Sequence, residues 1–366
     1  MNEIMQILVV TATKGASVAL VALGINIIFA TTRIVNFAQG GTIVAAGYIA
    51  FLFAAPDQLG LNVWVAFVLT MLVGVGIGVF IDVFAIAPLG GFKARENTGW
   101  LVMAVSLVLL IVFWFVVPVT ALQILCALAF AVGLGLEVVR TPAAAKFDPN
   151  KNLGWIISTF ALGVTFMPAI ISAAIATGPQ RIPDLIPGTL ATIAGVPITY
   201  GDLLLVVVAV GLMLGIELLL ARTMLGRSFH AVSQDRTTAS LMGINTGRIV
   251  LISFAIAGLL AAVTAVLIAP TQFIKEENSI LLSFSALIGA VLGGLGSTRG
   301  AIVGSFVVVF VQTFCATLLP PLVGMSADDA GRAGDLVVFV GLLVVLGVKP
   351  SGLYGRIAVE KVWGRR

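Results

Sequence analysis

Long apolar runs separated by short polar stretches make up most of the sequence. A transmembrane helix needs about 20 apolar residues to cross about 30 Å of hydrocarbon. Eleven segments meet or approach this length, near residues 4–30, 37–55, 63–86, 99–117, 119–139, 155–176, 202–221, 248–269, 281–293, 300–319 and 335–348. The short run at 281–293 could be half of a broken helix. The pattern predicts an all-α polytopic membrane protein, a bundle of about 10–11 transmembrane segments with broken helices in two pseudo-related halves.

Composition excludes a soluble protein. Of the 366 residues, 60% are hydrophobic and 10% are charged, whereas charged residues make up about 25% of soluble domains. Mean hydropathy is +1.16. This number of charged side chains is too small to cover the surface of a globular protein of this size. Soluble enzymes and soluble binding modules are therefore excluded.

Basic residues fall into four clusters between the apolar runs. Alternating the crossings places all four on one side, which the positive-inside rule makes cytoplasmic. The clusters are Lys93 and Arg95; Arg140, Lys146 and Lys151; Arg222, Arg227, Arg236 and Arg248; and Lys349, Arg356, Lys361, Arg365 and Arg366. This predicts a cytoplasmic C-terminus, with residues 178–200 and 320–334 outside.

Residues suited to catalysis are scarce. The only histidine, His230, lies in a basic loop, and the glycine-rich run at 293–300 lacks the Lys-Ser/Thr of a phosphate-binding loop. The sequence therefore predicts no catalytic residues and no metal site. The acids within spans, Asp82, Glu137 and Glu217, lie near predicted cytoplasmic ends, where snorkelling or pairing with a base explains them.

Two polar, glycine-containing stretches interrupt apolar runs, at residues 31–41 and 293–300. Interrupted segments in corresponding positions of two halves indicate a transport route, because unwound backbone at membrane depth occurs only inside protein or beside a wet cavity. Alternatively, each stretch is a cytoplasmic turn, with Arg33 and Arg299 following the positive-inside rule. Both interpretations stay open.

The segment 222–247 is too polar to span a membrane, and its pattern predicts a short cytoplasmic helix that docks onto another protein. Its predicted apolar stripe consists of Ala231, Ala239, Leu241 and Met242, and its predicted wet side of Gln234, Asp235 and Arg236. Gly243 is the expected C-cap. A solvated amphipathic loop is the alternative.

Four stretches, in the expected order, resemble the branched-chain amino acid ABC transporter permeases of the LivH type. AVSQDRTTASLMGINTGRIVLISFAIAGLLAAVTAVL resembles the coupling-loop region of that family, and RIVNFAQGG resembles its early "NFAHG" signature. AVLGGLGSTRGAIVG is similar to its later glycine-rich signature and GVKPSGLYGRIAVEKV to its ending.

The sequence departs from the family pattern at two places. The family has about one hairpin fewer, so residues 88–145 look like an extra helical hairpin, which agrees with a repeat at an offset of 55 residues. Asn97, Gly99, Trp100 and Leu107 recur there as Asn152, Gly154, Trp155 and Leu162. The family's signature histidine is Gln39 here, which leaves the substrate open, and Thr237, Thr238 and Ala239 replace a Glu-Ala-Ala.

The resemblance implies a permease subunit of an ATP-binding cassette importer, which moves a branched-chain amino acid or similar small polar solute into the cytoplasm by alternating access. It implies a second permease chain, LivM-like or identical, two ABC ATPase subunits and an extracytoplasmic solute-binding protein, with no nucleic acid. ATP would be used by the partner subunits, with no cofactor on this chain. The implied location is the bacterial plasma (inner) membrane, with this chain as a multi-pass protein in contact with membrane lipid.

The resemblance also suggests functional residues. The expected ATPase-coupling residues are Gln234, Asp235, Arg236, Ala239 and Gly243, and the expected substrate-pathway residues are Asn36, Phe37, Gln39, Gly40, Gly293, Gly294 and Ser297. The alternatives are an ion-coupled secondary transporter or facilitator, an importer of urea, amides or small organic acids, and a structural subunit of a complex.

Overall fold

The structure, a computed structural model, describes residues 2–83, 159, 160, 163, 181–193, 196–271, 277–324, 326–349 and 352–354. The predicted hairpin at 88–145 and the predicted spans at 99–117 and 119–139 lie outside the described residues, as does most of 155–176.

Helices dominate the described part of the chain, which confirms the predicted all-α class. They are α1 (Asn2–Thr32), α2 (Gln39–Ala54), α3 (Val63–Ile81), α4 (Tyr200–Arg222), α5 (Met224–Gln234), α6 (Arg236–Leu241), α7 (Thr246–Ile268), α8 (Glu277–Gly293), α9 (Thr298–Val323) and α10 (Ala327–Val348). Among the described residues, six helices are long and apolar enough to cross a membrane: α1, α3, α4, α7, α9 and α10. Two short strands, β1 (Thr189–Ile193) and β2 (Val196–Thr199), pair antiparallel within the predicted external stretch at 178–200.

Helices occupy most of residues 320–334, the interval between two of the predicted spans. α9 continues through two prolines and ends at Gly324, whose φ of 71° is the left-handed conformation that favours glycine. The Ser326 side chain then accepts a hydrogen bond from the backbone N–H of Asp329 and so caps α10. These two caps reduce the loop to a tight turn between α9 and α10.

Helices α1 and α7 form the centre of the bundle. α1 packs against α4, α7, α8 and α9, and α7 packs against α2 and α3. The contact between α3 and α7 is close, because a Cβ at Gly78 would overlap the Phe254 carbonyl and one at Gly258 would overlap the Gly74 carbonyl. Small residues at such crossings allow membrane helices to pack by van der Waals contact.

Candidate functional site

Helices α5 and α6 form the predicted docking segment, which the structure divides into two helices at Asp235. The Asp235 Oδ1 accepts hydrogen bonds from the backbone N–H groups of Thr237 (2.8 Å) and Thr238 (3.2 Å). Its Oδ2 accepts one from the Thr238 hydroxyl at 2.6 Å. This hydroxyl bond and the two backbone bonds lower the pKa of Asp235 below its usual 3.8. Asp235 is therefore the N-cap of α6 and ends α5.

Gly243 directly follows Met242, the C-cap residue of α6, so the predicted C-cap is displaced by one residue. Its φ is 83°. The Ile244 N–H donates to the Ala239 carbonyl and the Gly243 N–H donates to the Ser240 carbonyl, both at 3.1 Å. This pair of bonds is a Schellman motif, in which glycine adopts the left-handed conformation without a Cβ penalty.

The predicted apolar stripe of this segment is wrong in part. Ala239 is 4% exposed and packs in the core cluster that contains Phe229 and Val232. Leu241 and Met242 point away from that core, with exposed fractions of 83% and 79%. Because the chain bends at the Asp235 cap and again after α6, it does not form one continuous helical stripe. The side chains of Leu241 and Met242 are therefore exposed at the surface, next to the buried Ala239.

Arg236 does not lie on a wet side, so that prediction is wrong. Its side chain is partly buried and interacts electrostatically with the carboxylate of Asp82, the C-cap residue of α3. Burial lowers the pKa of Arg236 to about 10, and the negative charge of Asp82 opposes this shift. Arg236 therefore stays protonated at neutral pH and ties α6 electrostatically to the end of α3.

Within the stretch 31–41, α1 ends at Thr32 and the next residue is Arg33, which has a φ of 59°. Its backbone N–H donates to the Phe29 carbonyl at 2.8 Å. Its Nη2 donates to the Ser233 carbonyl at 2.7 Å, within the last turn of α5. A cation at a helix C-terminus interacts favourably with the helix dipole. Arg33 thus joins the interrupted stretch to the docking segment.

Beyond Arg33 the chain turns back into the bundle, and α2 begins there. The Gln39 Nε2 donates to the Ala257 carbonyl at 2.8 Å, and Gly40 N–H donates to the Ser283 hydroxyl at 2.9 Å. Ala257 lies eleven residues into α7, which is about 16 Å along a helix. The N-terminus of α2 is therefore buried well inside the bundle, as the broken-helix interpretation expects.

The other predicted pathway residues of this stretch also face inward. Asn36 is 1% exposed, and its Oδ1 accepts a hydrogen bond from the Ala38 N–H at 3.0 Å. Phe37 is half-buried and contacts the Phe160 ring edge-to-face, with 6.2 Å between the ring centroids. The stretch therefore combines buried amide groups with backbone outside regular helix.

The stretch 293–300 has a different geometry, that of a tight turn between α8 and α9. Ser297 caps α9, since its Oγ accepts a hydrogen bond from the Gly300 N–H at 3.2 Å. The Gly296 N–H donates to Asn26 Oδ1 at 2.5 Å. A Cβ at Gly293 would overlap the Gly300 carbonyl. Gly294, with a φ of 113°, completes the turn. This geometry fits the turn interpretation.

Contacts outside this turn also hold it in place. Arg299 forms an ion pair with Glu217 of α4, in which Nε lies 2.7 Å from Oε1. The N–H groups of Leu353 and Tyr354 donate to the Leu292 and Gly293 carbonyls, each at 2.8 Å. The residues that follow α10 therefore cap α8.

The structure does not bring the two stretches together around one space. Gln39 lies against Gly24 of α1, and Gly296 is bonded to Asn26 of the same helix. Two residues along an α-helix correspond to a rotation of about 200°. The stretches therefore contact nearly opposite faces of α1.

An open pocket of about 410 Å³ lies at the opposite end of the bundle and was missed by sequence reasoning. Phe51, Asp57, Arg181 and Asp184 are among its lining residues. The Arg181 Nε donates to the Pro270 carbonyl at 2.5 Å, just beyond the end of α7. The available signal was that Arg181 and Asp184 fall in the stretch 178–200, which the sequence predicts to lie outside. Among the described residues, no group of three His, Cys, Asp or Glu side chains could hold a metal ion.

The sequence of this chain matches a known family of membrane proteins over most of its length. Residues 7–92 and 94–346 match the family described as "Branched-chain amino acid transport system / permease component". The chain is 27% identical to the high-affinity branched-chain amino acid transport system permease protein BraD of Pseudomonas aeruginosa, over 98% of each chain. It is 26% identical to the corresponding protein LivH of Escherichia coli K12, over 96% of this chain and 95% of LivH.

A shorter part of the chain is similar to a permease of a different transport system. The autoinducer 2 import system permease protein LsrC of Photorhabdus laumondii is 31% identical over 30% of this chain and 35% of LsrC. No solved structure matches the chain. The family match covers nearly the whole sequence and overlaps all six described helices that are long enough to span a membrane. The chain is therefore a multi-pass membrane protein that belongs to the branched-chain amino acid transport system permease component family.

Proposed function

We propose that this chain is the permease subunit of an ATP-driven importer for a branched-chain amino acid or a similar small polar solute. The match to the permease family across residues 7–92 and 94–346 carries this proposal. The partners would be a second permease chain, two ABC ATPase subunits and an extracytoplasmic solute-binding protein. ATP would be hydrolysed by the ATPase subunits, so this chain would contribute no catalytic residue.

One end of the bundle would face the cytoplasm. Arg33 contacts α5, and Arg299 pairs with Glu217 of α4, shortly before α5 begins. Lys349 follows α10 and lies beside the residues that cap α8. Clustered basic side chains at one end favour that end as cytoplasmic. The same end would carry the C-terminus of a protein in the bacterial plasma membrane.

Helix α6 would be the contact for an ATPase subunit. Leu241 and Met242 supply exposed apolar side chains, and Gln234 and Asp235 supply polar groups at the surface beside them. An apolar pair rimmed by polar groups is typical of a protein interaction site. Buried Ala239 would fix α6 to the permease, so that a push on the exposed side moves the whole segment. Arg236 would also hold α6 in place through its electrostatic attraction to Asp82. Gly243 would set the direction of the chain after α6.

Arg33 would transmit this movement into the membrane. It bonds the last turn of α5 and begins the stretch that leads to Gln39. When α5 shifts, Arg33 would move with it. The stretch from Arg33 to Gln39 would then move as well, together with the buried N-terminal end of α2. Non-glycine residues in the left-handed conformation cost about 1–3 kcal/mol, and such strain concentrates at switch regions.

The solute would pass beside the buried end of α2. Asn36 and Gln39 would exchange their internal hydrogen bonds for bonds to the solute when the stretch opens. Phe37 and Gly40 would border this route. Neutral amides are suited to it because they bind a polar solute without burying a charge. Gly293, Gly294 and Ser297 would form the fixed frame on the other side of α1.

The pocket at the opposite end would receive the solute from the binding protein. An amino acid carries an ammonium and a carboxylate, and the pocket offers Arg181 together with Asp57 and Asp184. Its volume of about 410 Å³ is within the range of about 300–1,000 Å³ seen for small-molecule sites. Phe51 supplies an apolar wall for an aliphatic side chain.

Uptake of radiolabelled leucine into proteoliposomes tests the proposed function. The vesicles contain the purified transporter, ATP inside and the binding protein outside. Uptake should require both ATP and the binding protein. Uptake that follows an ion gradient without ATP would instead establish the secondary-transporter alternative. Binding assays with leucine, urea, amides, small organic acids and autoinducer 2 on the binding protein would define the solute.

Three variants at Arg33 test the transmission step. Arg33→Gly keeps the left-handed backbone but loses the guanidinium, so we expect at least tenfold less uptake with ATP hydrolysis retained. Arg33→Lys keeps a charged donor and should restore part of the uptake. Arg33→Asn, which tolerates the same backbone, should resemble Arg33→Gly. Equal uptake per ATP in all three variants and the wild type would exclude transmission through Arg33.

A further inference from the structure

Helices α8, α9 and α10 are joined by a polar contact that the proposed route does not use. The Gln312 Nε2 of α9 donates to Asp335 Oδ1 of α10 at 2.8 Å and to the Ser285 Oγ of α8 at 3.2 Å. The carboxylate therefore receives an amide hydrogen bond that holds it in a defined position.

This contact lies deep within the membrane layer. Asp335 is fourteen residues before Lys349, and Gln312 is thirteen residues after Arg299. Both separations correspond to about 20 Å along a helix, measured from the end that carries the basic residues. A hydrocarbon layer about 30 Å thick that begins near that end contains both side chains.

Asp335 is nevertheless exposed on the surface of this chain. α10 packs against α8 and α9, and its outward side chains Leu336, Phe339 and Leu343 are 65%, 50% and 54% exposed. We call these three residues together with Asp335 the Asp335 face. Carboxylates at membrane depth face protein or water rather than lipid, because lipid offers no hydrogen-bond donor. Something other than lipid must therefore cover this face.

The chemistry of the face favours protein over a wet solute route. A single hydrogen-bonded polar group surrounded by large apolar side chains is the arrangement by which membrane helices associate, with the polar group as the specific contact. Gln312 supplies one donor, and an ionised carboxylate accepts several. The remaining acceptor sites of Asp335 call for a basic or amide donor on the covering helix.

We propose that the Asp335 face packs against a second permease chain, through a membrane helix that presents a basic or amide donor at the depth of Asp335. This inference rests on the proposed function, which includes a second permease chain. A second copy would meet the requirement, because Arg332 lies one turn from Asp335 and forms no ion pair with any described residue. Two-fold symmetry would then pair Arg332 of each chain with Asp335 of the other.

Photo-crosslinking in the intact transporter tests what covers the face. In one variant p-benzoyl-phenylalanine replaces Leu343, and in the control it replaces Leu214 on the outer face of α4. These leucines are 54% and 55% exposed, so they are matched in accessibility. Position 343 should crosslink to a permease chain, identified by mass spectrometry, and position 214 should give lipid adducts or none.

The crosslinking outcomes separate this inference from the proposed function. Lipid adducts alone at 343, in a complex that contains two permease chains, would overturn the inference and leave the proposed function standing. Crosslinks to the second permease chain at 214 but not at 343 would do the same. Purification of the transporter with only one permease chain would contradict the proposed function itself.

Substitutions at Asp335 provide a second test. Asp335→Leu should reduce co-purification of the second permease chain at least tenfold, whereas Asp335→Asn should retain part of it because an amide still bonds Gln312 and the partner. If Asp335 faces lipid, the result would be the opposite: the Asp335→Leu variant would assemble with the second permease chain as well as the wild type does. Reaction of Asp335→Cys with a charged, membrane-impermeant maleimide would reveal a wet route and would also overturn the inference.

Discussion

The stretches 31–41 and 293–300 resemble each other in sequence and differ in structure. Both combine glycine with arginine and a polar side chain between apolar runs. In the first, the chain re-enters the bundle and buries Gln39 against α7. In the second, Ser297 and Gly293 close a tight turn that the residues after α10 also cap. Glycine content therefore marks an interruption, whereas burial of amide side chains distinguishes a deep helix end from a turn.

The two stretches share one detail that makes the comparison testable. In each, a glycine N–H is bonded to a side-chain oxygen on a distant helix: Gly40 to Ser283, and Gly296 to Asn26. We attribute movement to the first stretch, because Arg33 connects it to α5. We attribute a fixed frame to the second, because the backbones of its two helices are in direct contact.

The largest expected effect is on folding, at the fixed turn. Gly293→Val would drive a side chain into the Gly300 backbone; overpacking costs about 1–3 kcal/mol or more. We expect a sharp loss of folded protein, measured by yield and by thermal unfolding in detergent. Gly296→Ala, where no atom lies within 4 Å of the added Cβ, should cost only about 1–2 kcal/mol for its backbone conformation. Equal losses in the two variants would contradict close packing at Gly293.

Gln39→Leu should instead lower transport more than stability. The substitution removes the donor to the Ala257 carbonyl, which costs about 1–3 kcal/mol, and leaves an apolar side chain beside the proposed route. We expect at least tenfold less uptake with near-normal membrane insertion. Gln58→Leu, an exposed glutamine outside the helices, is the matched control and should transport normally. Normal uptake by Gln39→Leu would remove Gln39 from the route.

Substitutions at Gly243 should affect attachment of the ATPase. Gly243→Val must adopt a φ of 83° with a branched side chain, at a cost of about 1–2 kcal/mol, so the end of α6 should change shape. We expect less co-purified ATPase and less uptake, with the permease still inserted. Gly243→Asn, which tolerates this backbone, should keep most of both. Loss of ATPase in the asparagine variant alone would argue against a conformational role.

The smallest expected effect is the pH dependence of the α6 cap. The pKa of Asp235 is lowered from 3.8 by its hydrogen bonds, so its stabilising contribution is present above that unfolded value and is lost as pH falls through the lower folded value. The difference in unfolding temperature between wild type and Asp235→Ala should be constant from pH 5 to 8 and shrink below pH 3.8. A difference that changes between pH 5 and 8 would exclude this cap as its source.

The sequence predicted most helices of the described part to within a few residues, because membrane spans are set by apolar length. It failed where local caps decide the outcome: Ser326 starts α10 well before the predicted 335, and Asp235 divides α5 from α6. The sequence pattern could not show that Gln312 of α9 meets Asp335 of α10, since that contact depends on how separate helices pack. Nor could it distinguish the depths of two glycine-containing stretches.

Backbone amide exchange in the assembled transporter shows whether the stretch 31–41 moves while the stretch 293–300 stays fixed. Deuterium uptake at Gly40 and Gly296 is compared between the nucleotide-free complex and the complex trapped with ATP and vanadate. We expect faster exchange at Gly40 in the trapped state, because movement of Arg33 would release the bond from the Gly40 N–H to Ser283. Exchange at Gly296 should be unchanged. Unchanged exchange at Gly40 together with faster exchange at Gly296 would contradict this expectation.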